Sequence, residues 1–122
     1  EFIRALVSVV CLGAVKGEDI NSRCDRELLK KRSVLMRRYI DGDDKLELQA
    51  LYEVQNLNYS LENPPGLLRL YFDVLYDEDV ISEDTFYSWR DSGDSVEQTG
   101  KGTALKSVTS FYTWLEESDP PN

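Results

Sequence analysis

The chain has 122 residues, with 14 Lys and Arg against 23 Asp and Glu, a net charge of −9 at pH 7 and 41% hydrophobic content. That length suits one domain with a core of its own, too apolar in composition for a disordered tail and too charged to span a membrane. With no histidine, the commonest general base, metal ligand and partner of a nucleophilic Ser or Cys is missing, so an enzyme is the minority reading and no cofactor or metal is expected. Cys11 and Cys24 read as free thiols of a cytoplasmic protein rather than as a disulfide.

In chain order, apolar residues recur at helical spacing almost throughout. The stretch from Ile3 to Val15 is the most apolar, but Arg4 interrupts it and no basic region precedes it, so it reads as a core helix and not a signal peptide. Gly17 is expected to end it. Asp25 can cap a second helix that closes at Tyr39-Ile40 before Asp41-Gly42. A third helix is expected over 44–62, and Asn63-Pro64-Pro65-Gly66 punctuates it. The fourth should run from Gly66 to Tyr76, with Pro65 at its first turn. Ser82 can cap a fifth, with Glu83 and Asp84 in its first turn. A polar loop over 91–102 leads to a sixth helix over 103–117, which Asp119-Pro120-Pro121 stops. No sustained alternation marks a sheet. Six helices on short turns make about three antiparallel pairs, an all-α fold that is either a bundle or a short helical stack. The first helix is apolar on much of its surface with no earlier partner, so the chain reads as the C-terminal part of a longer stack.

Charge and aromatic residues are unevenly placed. Residues 1–72 carry 11 basic and 11 acidic residues, whereas residues 73–122 carry 3 and 12. Seven basic residues crowd into 23–38. The acidic end holds Tyr76-Asp77-Glu78-Asp79, Glu83-Asp84 and Glu116-Glu117, interleaved with aromatics. Phe86 and Trp89 are three apart, as are Phe111 and Trp114, so each pair faces one side of its helix and is assigned to the core. Three adjacent acids near a helix C-terminus oppose the helix dipole, which points either to a role in surface charge or to a helix that has already ended at Tyr76. Such an end suits a basic partner segment, drawn in at long range and anchored by half-exposed rings.

These residues also carry a resemblance. Leu75 through Asp84 with Phe86 and Trp89, then Gly100-Lys101-Gly102, Ala104 through Val108, Phe111, Trp114 and Leu115, resemble the two aromatic and acidic boxes of the W2 domain. Leu48 through Tyr52 and Pro64 through Arg69 extend the likeness toward its initiation factor 4 gamma members. The resemblance implies a HEAT-like stack of antiparallel helix pairs, with 1–122 a single domain lacking its most N-terminal helices. It further implies a scaffold-docking module of translation initiation that binds a basic segment of a MAP-kinase-interacting protein kinase. Partner contacts would fall to Tyr76, Asp77, Glu78, Asp79, Glu83, Asp84, Glu116 and Glu117. Relatives in the family imply an alternative partner, the lysine-rich tail of initiation factor 2.

Other constellations fall short of a site. Gly100-Lys101-Gly102-Thr103 lacks the spacing of a phosphate loop, and reads as a helix-start turn with Lys101 free to pair with nearby acids. Asp41 through Asp44 lacks the calcium-loop spacing. The basic stretch 23–38 leaves an RNA-binding helical module as a rival reading, although only Tyr39 is near enough to stack on bases.

Overall fold

The structure, a computed structural model, describes residues 2–16 and 23–118. Gly17, the Cys24 side chain and the Asp119-Pro120-Pro121 stop lie outside the described residues. Seven α-helices are described: α1 (Phe2–Gly13), α2 (Arg26–Ile40), α3 (Asp44–Ser60), α4 (Leu67–Asp77), α5 (Glu83–Asp91), α6 (Lys101–Ser107) and α7 (Thr109–Ser118). They stack as an all-α, HEAT-like array. α1 packs on α2 and α3, α3 on α4 and α5, and α4 on α2, α6 and α7.

Local chemistry explains most of the boundaries. The Asp25 carboxylate accepts from the Leu28 N–H at 3.0 Å, capping α2 as expected. Asp41 ends α2 in the left-handed region (φ 48), which Asp tolerates. Asp43 caps α3 through the Lys45 and Leu46 N–H groups.

Several expectations are corrected. α1 stops at Gly13, where the Arg32 guanidinium lies so near that an added Cβ would sit 3.2 Å from it. The chain then extends into β1 (Val15–Lys16), which pairs antiparallel with β2 (Arg23–Cys24), so a two-residue ladder stands where no strand was expected. α3 ends at Ser60, two residues early, and the following Glu62 and Asn63 are left-handed (φ 64 and 54). Pro65 precedes α4 rather than opening it, because Gly66 at φ 79 supplies the turn into the helix. The expected sixth helix is two, bent at Val108. There the Ser107 and Thr109 hydroxyls donate back to the carbonyls of Ala104 and Leu105, a habit that bends helices.

The core is aromatic at its centre. Phe72 on α4 meets the rings of Phe86, Trp89 and Phe111 at centroid distances of 5.1, 5.1 and 5.4 Å. Trp89 is 0% exposed. Its indole N–H donates to Gln55 Oε1 at 2.9 Å, and the Gln55 amide donates on to the carbonyls of Glu97 and Thr99. Lys101, expected to be free for surface pairing, is 4% exposed instead. Its ammonium lies 4.7 Å from the Trp89 ring and donates to the Trp89 and Ser92 carbonyls. Those oxygens belong to the C-terminal end of α5, where a cation is favoured. Burial accordingly pushes the Lys101 ammonium below its ordinary value of 10.5.

The start of α5 depends on a residue far away in sequence. Ser82 makes no side-chain cap of its own. Glu47 on α3, 4% exposed, accepts instead from the Ser82 N–H and hydroxyl at 2.9 Å each and from the Thr85 hydroxyl at 2.7 Å. At the helix's other flank the Tyr112 hydroxyl donates to the Phe86 carbonyl at 2.6 Å. The outer side of α1 shows exposed Phe2, Val9 and Leu12, with Phe2 edge-on to Tyr39 of α2 at 5.2 Å.

Trp89→Ala is expected to cost about 3–5 kcal/mol, a large part of the ~5–15 kcal/mol that holds a domain together. The urea midpoint should collapse, and a variant that kept its midpoint would remove Trp89 from the core. Glu47→Gln is expected to cost about 2 kcal/mol, since a charged acceptor of three hydrogen bonds is lost; helical circular dichroism against urea measures it. Burial pushes the Tyr112 phenol above its ordinary 10.0. The folded phenol therefore keeps its proton where the unfolded one has lost it, so stability is intact below that value and falls as pH rises past it. Tyr112→Phe should be less stable by about 1 kcal/mol near neutrality, yet lose less between about pH 10 and about pH 11 than the parent chain.

Candidate functional site

The aromatic and acidic residues singled out from the sequence do not form one patch. Three of the four assigned to the core, Phe86, Trp89 and Phe111, are 0% exposed. The fourth is corrected: Trp114 is 40% exposed. On α7 the buried stripe is Phe111, Tyr112 and Leu115. At about 100° per residue Trp114 falls on the edge of that stripe, toward α4. Its ring stands edge-on to Tyr76 at 5.6 Å, and Tyr76 in turn touches Phe86 and Phe111, both at 6.2 Å. Tyr76 thus connects the core to a surface tryptophan.

α4 and α7 run side by side in the same direction. Arg69, early in α4, donates to the Ser110 hydroxyl at 2.6 Å, early in α7, while Tyr76 and Trp114 meet further along both. Arg69 also pairs with Asp73 at 2.9 Å and lies over the Phe111 ring at 5.7 Å. The helical period sets Asp73, Tyr76 and Asp77 along this flank of α4, and Trp114 and Glu117 along the facing flank of α7. The Arg69–Asp73 spacing of four residues is a local signal readable from sequence. Its link to Ser110 has no local signal.

α4 ends at Asp77, and the chain turns through Glu78 and a left-handed Asp79 (φ 58). The basic helix α2 lies against this turn. Arg26 approaches Asp77 at 3.5 Å, and an Arg37 guanidinium nitrogen donates to the Glu78 carbonyl at 2.8 Å. Both side chains of the Arg26–Asp77 pair are nearly half exposed, so it contributes at most about 1 kcal/mol. Asp77 and Asp79 remain on the surface and Glu78 is half-buried.

The other acids stand elsewhere. Asp84 lines a depression of about 200 Å³ with Asp44, Lys45, Leu48, Thr85 and Ser88, between α3 and α5. The period of α5 puts half-buried Glu83 on the same flank as Tyr87 and Arg90. Glu116 faces that flank from α7, 3.5 Å from Arg90. Two residues missed in the sequence reading, Glu47 and Arg90, organise the acids. Glu47 fixes where α5 begins and Arg90 joins α5 to α7, and pairings 35 and 26 residues apart leave no mark in a local pattern.

Among the described residues, no group of three or more His, Cys, Asp or Glu is arranged to hold a metal ion, and no helix is long and apolar enough to cross a membrane. The surface offers a half-exposed tryptophan and exposed carboxylates.

Known proteins carry similar sequences. The family model described as W2, eIF4-gamma/eIF5/eIF2-epsilon, matches residues 46–120. Eukaryotic translation initiation factor 4 gamma 3 of Homo sapiens is 49% identical over 118 residues, covering 97% of this chain and 7% of that protein. Eukaryotic translation initiation factor 4 gamma 1 of Mus musculus is 51% identical over 117 residues, 96% of this chain and 7% of its own length. The likeness to eukaryotic translation initiation factor 4 gamma 2 of Mus musculus is 32% over 95 residues, 78% of this chain and 10% of that protein. The chain therefore spans less than a tenth of the length of the first two. It belongs to the W2 family of translation initiation factors.

Proposed function

We propose that this W2 domain is a non-catalytic docking module, acting in the cytoplasm, whose α4–α7 face binds a Lys/Arg-rich segment of a MAP-kinase-interacting protein kinase. The observation that carries the reading is the exposed Trp114 ring braced edge-on by Tyr76. A large ring held rigid by a neighbour gives a partner buried contact area at little ordering cost, the usual profile of an interface hot spot. Asp77, Glu78 and Asp79 at the end of α4 and Glu117 on α7 add negative charge to this end of the domain, which raises the encounter rate with a cationic segment and favours such segments over neutral ones. An arginine or lysine laid over the indole gains a cation–π contact as well. Glu83, Asp84 and Glu116 add to the field from neighbouring flanks without touching this face.

The lysine-rich tail of initiation factor 2 would be drawn to the same carboxylates, and direct competition between the two peptides separates the partners. The RNA reading of the basic stretch has less support. Arg26 and Arg37 are engaged with the acidic turn, and exposed Val34 and Leu35 interrupt the cations that remain.

Titration of the kinase's basic segment at low and moderate salt tests the proposal. The affinity should fall steeply with salt. Trp114→Ala should weaken binding by about tenfold or more while helical circular dichroism is unchanged. Asp77→Asn with Asp79→Asn should lower mainly the association rate, and Asn keeps the left-handed conformation that position 79 requires. Binding that ignores both salt and Trp114 would overturn it.

A further inference from the structure

A second surface feature extends the docking reading and rests on it. Between α5 and the α6–α7 bend lies an open depression of about 310 Å³, lined by Arg90, Leu105, Thr109, Tyr112, Thr113 and Glu116. Its floor is apolar, made by half-buried Leu105 and the buried Tyr112 ring. The Thr109 hydroxyl donates to the Leu105 carbonyl and the Thr113 hydroxyl to the Thr109 carbonyl, both at 3.1 Å. With their protons committed, these two oxygens are left as acceptors. Glu116 is also an acceptor. Every polar side chain of the depression except Arg90 therefore favours a donor.

Arg90 is held in two unequal ways. Its guanidinium lies over the rings of Tyr87 and Tyr112 at 4.8 and 5.4 Å, and its Nε meets Asp91 at 3.0 Å. The contact with Glu116 is the long one, 3.5 Å from a half-buried Arg90 to an exposed carboxylate. Arg90 can give up Glu116 and keep both rings and Asp91.

We propose that this depression receives one Lys or Arg side chain of the docking segment, and that Arg90 is the resident cation from which the incoming one takes Glu116. The aliphatic stem lies on Leu105 and Tyr112, as such stems do on apolar surface. The cationic head meets Glu116 with the Thr109 and Thr113 oxygens as further acceptors. An anionic side chain is disfavoured here, because it would face Glu116 and two acceptors while Arg90 is already neutralised by Asp91. Arg90 then acts as a brake on affinity at this point, and the pocket adds specificity for a long cationic side chain that charge alone does not provide.

The test is a double-mutant cycle read by titration of a synthetic peptide of repeated Lys-Lys-Arg-Leu onto the 122-residue chain. Arg90→Met should tighten binding roughly two- to fivefold. The gain should vanish in Glu116→Gln, which by itself should weaken binding. Arg38→Met, which removes one positive charge from the exposed side of α2, is the control for overall charge and should have a smaller effect. Peptide addition should shift the backbone amide resonances of Leu105 and Thr113. A gain that survives Glu116→Gln, an equal gain from Arg38→Met, or unmoved Leu105 and Thr113 resonances with the peptide bound would overturn the pocket and leave the α4–α7 face standing. A peptide that does not bind the parent chain at all would overturn both.

Discussion

The burial of one indole governs this fold. Taking the Trp89 N–H out of water without an acceptor would cost as much as a lost hydrogen bond, and its acceptor is the side chain of Gln55 on α3. Gln55 is itself buried, so its two amide protons must also be satisfied, and the carbonyls of Glu97 and Thr99 do so. The loop carrying those carbonyls is thereby tied down, and Lys101 directly after it closes over the same ring. A chain of obligations thus runs from α3 through α5 to α6, and no member can be left out without stranding another. The arrangement explains why a loop with little apolar content is ordered. It also explains how a lysine comes to be buried: two carbonyl dipoles and a π face do much of the work of a counter-ion.

From this centre the surface follows by packing. Phe72 rests on Trp89, Phe86 and Phe111 together, which fixes α4 against α5 and α7. Tyr76, one turn further along α4, is then carried to the edge of the aromatic cluster, where it braces Trp114. Glu47 sets the starting point of α5 from the other side. The aromatic rings are gathered because a rigid core packs α4, α5 and α7 together, while the acids are spread over separate flanks and add little to that core.

The helices were legible from sequence because their apolar stripes are long and their ends chemically explicit, as at the Asp25 start and the Asp41 stop of α2. The miss at Trp114 is instructive. Phe86-x-x-Trp89 and Phe111-x-x-Trp114 have the same spacing, and the same inference was drawn from both. What separates them is an acceptor: Gln55 waits for the first indole from 34 residues away, and the second lies just outside the stripe set by Phe111 and Leu115. Lys101 failed for the same reason in reverse, since the carbonyls that hold it are brought by α5. The bend at Val108 had a local cue in its flanking hydroxyls, but an unbroken apolar period outweighed it. Spacing along one helix gives direction; only the partner element decides depth.

Charge needs a similar correction. The whole imbalance of −9 belongs to residues 73–122, which suggests a single acidic end facing away from a basic helix. The stack does the opposite and lays α2 against the acidic turn, so that Arg26 and Arg37 temper the carboxylates nearest to it. On the next flank Arg90 tempers Glu116 and Asp91. Net charge therefore describes the field a partner feels from beyond a Debye length, about 8 Å at physiological salt. Within that distance, resident arginines decide which carboxylates are available, and rings decide whether contact is retained after the encounter. On the proposed reading, a basic segment is attracted by most of this surface and held at the aromatic edges, beside Trp114 and beside Tyr112 with Glu116.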